Sequence, residues 1–478
     1  MERLSGMDAS FLYLETPTQM LHVCGLIIMD GSTIPGGYSF AKLRDELAIR
    51  VEAMPSFKRR LADTRFNLDH PVWVDDPDFD IERHVHRIAV PAGGREELAE
   101  LCGSIASQPM DRARPLWEMF FIEGLEDGSI AVMSKMHHAN VDGVTGANLM
   151  SQLCSLEPDA PRPDFDHIPN GAGTASSLDI AVDGMLAFVA RPLRIAKMLP
   201  GSLALLPRWI ERARKGEAMP APFTAPRTSL NGAITGHRSI AYGELSLDDV
   251  KLVKNTFGVK VNDVVLTMCA GALRKYLENR DELPDESLVS IVPVSVHDKS
   301  DRPGTNQISA MFTQLGTDIA DPVERLYMIA ERNTINKDHN EALGATLLQD
   351  WAQFAAPAVF GSAMRVYASL KLAERHPVVH NLVVSNVPGP PLPLYFMGAR
   401  IKQMYPLGPV FHGAGLNVTV MSLNGRLDVG LVACKELAPH LWDLADAFPE
   451  ALAELVKAAR AHTRKQKRRA ASARPAAR

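Results

Sequence analysis

The order of apolar and polar positions predicts a mixed α/β chain. Residues 20–29 are nearly all apolar and lead to Asp30, the pattern of a buried strand, and residues 37–52 have the period of an amphipathic helix closed by Pro55. A strand is predicted at 72–74, a helix at 96–108, a connector at 109–115, and strands at 117–122 and 129–136. Gly124 and Asp127-Gly128 between the last two mark a turn, so that pair reads as a hairpin. It ends on His137 and His138, and a helix is predicted from about Gly143 to Leu153. Short polar side chains therefore stand where a strand gives way to a helix, a junction that presents them to a cleft on a rigid scaffold.

The texture changes over residues 157–231. Pro161, Pro163, Pro169, Gly171 and Gly173 indicate a loop, and residues 179–215 suggest helices broken at Pro192 and Pro200 that mix apolar residues with Arg and Lys. This stretch reads as a crossover, either packed on the body or lying on a lipid surface. Helices are predicted again at 248–257, 261–277, 318–338, 341–369 and 441–459, and strands at 289–296, 307–315 and 378–385. Two late strands flank Asn424-Gly425, a strong hairpin signal. The division that follows is an N-terminal domain over 1–156, a crossover over 157–236, a C-terminal domain over 237–459 and a basic, disordered tail over 460–478.

Charge sharpens that division. The chain of 478 residues carries −5 overall, yet residues 460–478 hold eight Lys or Arg and no acid, which leaves about −13 on the rest. Such a body does not suit nucleic-acid binding. The tail fits a solvated end or an anionic lipid contact. Cys24, Cys102, Cys154, Cys269 and Cys434 are scattered without CxxC spacing, as expected of reduced cytoplasmic thiols rather than a disulfide or zinc scaffold. No apolar signal segment opens the sequence and no run of 18 apolar residues occurs, so lipid contact is expected only at the surface. Residues 351–364 come closest to such a run.

The densest chemistry is His137-His138-Ala139-Asn140-Val141-Asp142-Gly143. Adjacent histidines at a strand end point to opposite faces, so only one readily enters a site, and no further residues nearby have metal-ligand spacing. General-base work needs a single imidazole that is neutral near pH 7 and held in one tautomer. Asp142 could hold it or pin the loop, and Gly143 permits a tight backbone approach. Structural packing remains the competing reading of these residues alone. No Gly-x-Ser-x-Gly, P-loop or dinucleotide-binding glycine set is present.

This heptapeptide resembles the HHxxxDG motif of CoA-dependent acyltransferases. The chain more closely resembles the bacterial wax ester synthase/diacylglycerol acyltransferases, with Leu4-Ser5-Gly6-Met7-Asp8-Ala9-Ser10-Phe11 like their opening and Pro115-Leu116-Trp117 like their PLW motif. Asn262-Asp263-Val264-Val265-Leu266 is similar to their ND motif, and Ser385-Asn386-Val387-Pro388-Gly389-Pro390 to a late segment. The matches run in family order from residue 4 to residue 390. The resemblance implies two similar mixed-sheet α/β domains joined by a helical crossover, with a channel between them.

It further implies His138 as general base, His137 as its support and Asp142 as a structural residue of the motif. Asn262 is a candidate oxyanion donor, or else caps its own helix. Asp263 is expected to fix local structure, Pro115, Leu116 and Trp117 to pack or line the channel, and Asn386, Pro388 and Gly389 to form a rigid turn. Relatives tend to carry Arg where this chain has His297, and Thr305 interrupts a Gly-Asn feature at Gly304 and Asn306. His22, His84, His86, His412 and His440 lie outside any motif and are expected on the surface or in packing.

The expected partners are long-chain acyl-CoA as substrate and a diacylglycerol or fatty alcohol as acceptor. No permanently bound cofactor, metal or nucleic acid is expected. The expected location is cytoplasmic, with peripheral contact to a membrane or lipid body. Alternatives are an acyltransferase acting on another lipid or a polyketide alcohol, and a non-catalytic lipid-binding protein.

Overall fold

The computed structural model describes residues 2–63, 69–141, 152–160, 207, 211, 212, 214–216, 218–295, 308–343 and 357–472. The first half contributes β1 (Glu2–Arg3), α1 (Gly6–Leu14), β2 (His22–Asp30), α2 (Phe40–Glu52), β3 (Arg59–Ala62), β4 (Val72–Asp75), β5 (Val85–Gly93), α3 (Arg95–Ala106), β6 (Trp117–Leu125), β7 (Ile130–His137) and β8 (Cys154–Ser155). The second half contributes β9 (Arg238–Ser246), α4 (Leu247–Phe257), α5 (Val261–Glu278), β10 (Val289–Ser295), β11 (Ile308–Gln314), α6 (Pro322–Leu343), α7 (Pro357–Ser369), β12 (Leu382–Val387), β13 (Tyr395–Phe396), β14 (Ala399–Leu407), β15 (Leu416–Leu423), β16 (Arg426–Cys434) and α8 (Leu441–Ser472). The mixed α/β class and the 117–136 hairpin are as the sequence predicts. The bulk of the crossover, the 143–153 helix before residue 152, and residues 344–356 lie outside the described residues.

Among the described residues the strands form a three-stranded sheet (β1-β4-β3), a seven-stranded sheet (β5-β6-β7-β2-β14-β13-β8) and a six-stranded sheet (β11-β10-β12-β15-β16-β9). The division of the chain at residue 237 is not the division of the sheets. β13 and β14 come from the C-terminal half, yet β14 pairs with β2 from Arg400↔Asp30 to Leu407↔Cys24. A bulge between Ile401 and Gln403 interrupts this ladder, and buried Asp428 of β16 accepts the Met404 N–H there at 2.8 Å. The two large sheets also cross closely at Gly430, where a Cβ would stand 2.1 Å from the Pro406 carbonyl oxygen. Lys402, Gln403 and Pro406 break the alternation that would have announced β14, and Pro91 does the same for edge strand β5.

The C-terminal core is built on α5, buried almost continuously from Asp263 to Leu277. It packs against α8, with Tyr276 donating to the Pro439 carbonyl at 3.2 Å. No single described helix is long and apolar enough to cross a membrane; α4 and α5 together pass only as a pair bent by 108°. One expectation is corrected here. The last helix does not stop near Ala459 with a disordered basic tail behind it; α8 continues to Ser472. Arg, Lys, Gln and Ala are strong helix formers, so a stretch read as disordered from its charge keeps the helical backbone it inherits from Leu441–Ala459. Residues 473–478 lie outside the described residues.

Candidate active site

β7 delivers the two histidines into different surroundings. His137 is fully buried, and its backbone N–H donates to the Leu116 carbonyl at 3.1 Å. Its ring Nδ1 accepts the Ala139 N–H at 3.0 Å. That acceptor role places the neutral ring's proton on Nε2. Nε2 lies 3.6 Å from a carboxylate oxygen of Glu15, the residue just after α1. The other oxygen of Glu15 lies 3.5 Å from Nε2 of His22, which pairs with His137 in the β2–β7 register. Arg112 closes the group by donating to Glu15 and, at 2.9 Å, to the Leu12 carbonyl.

The electrostatics of this group follow from burial. Burial alone would raise the Glu15 carboxyl, but His137, His22 and the Arg112 charge outweigh it and hold it well below the usual carboxylate range. Burial pushes His22 down to about 4 against the pull of Glu15, so its ring is neutral near pH 7. Two residues back from His137, buried Lys135 donates to Glu118 at 3.1 Å. Burial opposes ionisation of Glu118, but His86 and Lys135 bring it down to about 2.

His138 is only half-buried. Its N–H donates to the Leu21 carbonyl at 2.9 Å, and its ring lies flat on Phe11, with centroids 3.9 Å apart and planes within 4°. Phe11 stands on α1, which starts at Ser5, whose hydroxyl accepts the Asp8 N–H at 3.1 Å. Leu4, Met7, Phe11 and Leu12 bury together with Leu116 and Ala139. The opening motif is therefore the floor on which the His137–Ala139 turn rests. Asp142 and Gly143 lie outside the described residues.

Pro115, Leu116 and Trp117 are buried around the same turn. Leu116 supplies the carbonyl that holds His137. Trp117 is core: Nε1 donates to the Phe57 carbonyl at 2.8 Å, and the ring stacks on His84 at 4.7 Å.

The C-terminal contribution centres on a pair of amides. Asn262 does not cap its helix; the cap residue is Lys260, whose N–H donates to Asp263 at 2.8 Å. Asn262 instead accepts from the Asn386 amide at 3.5 Å, which leaves the Asn262 NH2 without a partner among the described residues. Asp263 also accepts from Asn333 on α6 at 2.8 Å, and Thr313 in turn donates to Asn333 at 3.1 Å. Asp263 thus ties α5 to α6. Beyond β12, Pro388 is exposed and Gly389 passes so close to β15 that a Cβ would lie 2.1 Å from the Ser422 carbonyl oxygen.

The contacts gather the site residues into two sets: His137 and His138 with Leu116 and α1, and Asn262 with Asn386. No hydrogen bond joins the sets among the described residues. His297, Gly304 and Asn306 lie outside them. Sequence reasoning missed Glu15 and gave His22 no role. The only sequence signal for either is position, Glu15 at the end of the opening motif and His22 at the start of the strand that pairs with β7. His84 and His412 are packed, as expected; His412 hydrogen-bonds Thr18 at 3.1 Å.

Comparison with known proteins agrees with the residue pattern. Residues 4–265 match the wax ester synthase/diacylglycerol acyltransferase catalytic domain, and residues 304–456 match the C-terminal domain of the same family. A Mycobacterium tuberculosis protein provisionally named a diacylglycerol O-acyltransferase is 53% identical over 459 residues, 96% of this chain and 90% of its own length. The solved wax ester synthase/diacylglycerol acyltransferase of Marinobacter aquaeolei is 31% identical, with a TM-score of 0.69 over 96% of this chain and all of that one. The first condensation domain of the calcium-dependent antibiotic synthetase shares the fold alone, at 14% identity and a TM-score of 0.56 over 96% of each chain. The chain belongs to the wax ester synthase/diacylglycerol acyltransferase family, and it is an acyltransferase of two similar α/β domains.

Proposed function

We propose that the chain moves a long-chain acyl group from acyl-CoA to the hydroxyl of diacylglycerol or of a long-chain alcohol, releasing free CoA. The observation that carries this reading is His138: a half-buried ring, stacked on Phe11 at the end of β7, beside a buried His137 anchored in one tautomer. His138 takes the acceptor's hydroxyl proton as the oxygen attacks the thioester carbonyl. A carbon–oxygen bond forms and the carbonyl oxygen becomes an oxyanion, which the free Asn262 amide N–H group suits as a donor. The carbon–sulfur bond then breaks and the departing thiolate takes the proton back from His138. No acyl-enzyme is required, and general-base help of this kind is worth roughly 10²- to 10⁴-fold in rate.

The diacylglycerol acceptor is supported by the names of the Mycobacterium relatives, and the alcohol acceptor by that of the Marinobacter enzyme. Acyl-CoA is the donor in this reading because the family resemblance is to CoA-dependent enzymes. The acceptors dissolve in lipid, so the enzyme works from the cytoplasm against a membrane or lipid-body surface. Purified protein given palmitoyl-CoA with diacylglycerol or hexadecanol tests this directly. Ester formation matched by thiol release is expected; binding of either substrate without turnover would overturn it in favour of a lipid-binding protein.

A further inference from the structure

Helix α7 has two dissimilar sides. On its inner side Phe360 joins the cluster of Phe11, Leu116 and Ala139, and Gly361 approaches the Tyr13 carbonyl. This side of α7 packs on the cluster that includes Phe11, on which the His138 ring lies. Its outer side shows Val366 and, one turn on, Leu370, each 52% exposed. Phe223, 55% exposed, is linked to the same helix: its ring meets His376 edge-on at 5.9 Å, and His376 bonds the Tyr367 hydroxyl of α7 at 2.6 Å. Phe223 is held outward by a backbone φ of +69°, a conformation rare for an aromatic residue. Exposed Arg365 and Lys371 flank Val366 and Leu370 in the chain, and exposed Arg375 precedes His376, with Glu374 as the one acid among them.

Single exposed apolar residues are ordinary, but two on one face of a helix and a third linked to that helix, with three cations and one acid beside them in the chain, form a local surface both apolar and basic on a chain whose net charge is −5. We propose that Phe223, Val366 and Leu370 dip into an anionic lipid surface while Arg365, Lys371 and Arg375 meet its headgroup phosphates. This rests on the reading that the acceptor is a lipid. Such an acceptor has negligible solubility in water and no described helix spans a bilayer, so contact at a lipid surface must supply it. The patch lies on the outside of the helix that backs the floor of the His138 turn, where that supply is of use.

Flotation of the full chain with phosphatidylcholine vesicles, with and without phosphatidylglycerol, tests the proposal independently of turnover. The wild type and His138→Ala are expected to float alike with the anionic vesicles. Val366→Ser with Leu370→Ser is expected to lower partitioning about ten-fold, and replacement of Arg365, Lys371 and Arg375 by Gln about five-fold per charge at low salt. Both variants should keep the wild-type rate on detergent-dispersed hexadecanol and lose rate on vesicle-borne diacylglycerol. Unchanged flotation of both variants overturns the proposal. So does flotation lost only when the cations after residue 459 are replaced, or a dimer dissolved by Val366→Ser with Leu370→Ser while flotation persists. Absence of acyl transfer with normal flotation would instead strike the functional reading and leave the surface intact.

Discussion

The two halves share an architecture but set different polar groups beside their candidate site residues. The N-terminal sheet sets ionisable groups side by side beneath the histidine turn: Glu15, His22, His137 and Arg112, then Lys135 and Glu118. Around Asn262 the C-terminal half answers with amides and a hydroxyl, Asn262 with Asn386 and Asn333 with Thr313, and the carboxylate there, Asp263, is spent on an N–H and an amide. The proposed mechanism gives the difference a chemical reason. Moving a proton needs a group whose charge can change and whose tautomer is fixed. Stabilising a fleeting oxyanion needs a dipole that does not itself titrate. On the mechanism proposed above, the fold is duplicated and the chemistry is divided between the copies.

That contrast breaks first at His138. His138→Ala should cost about 10²- to 10⁴-fold in kcat with little change in melting temperature, since the ring is only half-buried; full activity would remove the division of labour. His138→Gln, which hydrogen-bonds but does not take a proton, should not rescue it. Asn262→Ala is expected to cost about 10²-fold or more in kcat if its amide meets the oxyanion, and Asn386→Ala less, because it acts through Asn262. Equal, small effects of both on kcat would reduce the pair to packing.

Glu15→Gln sharpens the other side. It keeps the volume but removes the charge facing His137, His22 and Arg112, so kcat should fall about ten-fold with a displaced pH profile. Loss of melting temperature alone, with the profile unmoved, would make Glu15 merely structural. The smallest effect is on stability against pH. Burial depresses His22, His380 and His412 to about 4 each. Between the ordinary histidine value and about 4 the unfolded chain binds protons that the folded chain does not. Stability should therefore fall as pH drops through that window, by on the order of 1–3 kcal/mol per ring at its lower end. Denaturant midpoints for wild type and His412→Gln would show it, the variant with the shallower slope.

Much of this was legible in residue order. The apolar run at 20–29, the hairpin ending on His137-His138, and the nearly continuous apolar face after Asn262 each declare their element locally. The two histidines, Asn262 and Asp263 are legible because their signals are contiguous. Glu15 and His22 are not, because each becomes chemical only when β2 pairs with β7 and brings residue 22 opposite residue 137. A polar side chain completed by a partner more than a hundred residues away, as both are by His137, leaves no local period. The fate of β14 was hidden for a related reason. Its partner strand is in the other half, and the bulge at 401–403 spoils the alternation that would have marked it.

The loan of β14 has a mechanical meaning. The ladder from Asp30 to Cys24 stitches the last third of the polypeptide into the first, and Asp428 fastens the stitch at its bulge. Swinging the halves apart like a clam would tear that seam. A fragment ending before Tyr395 would be left with β2 as a naked border, ready to stick to its neighbours.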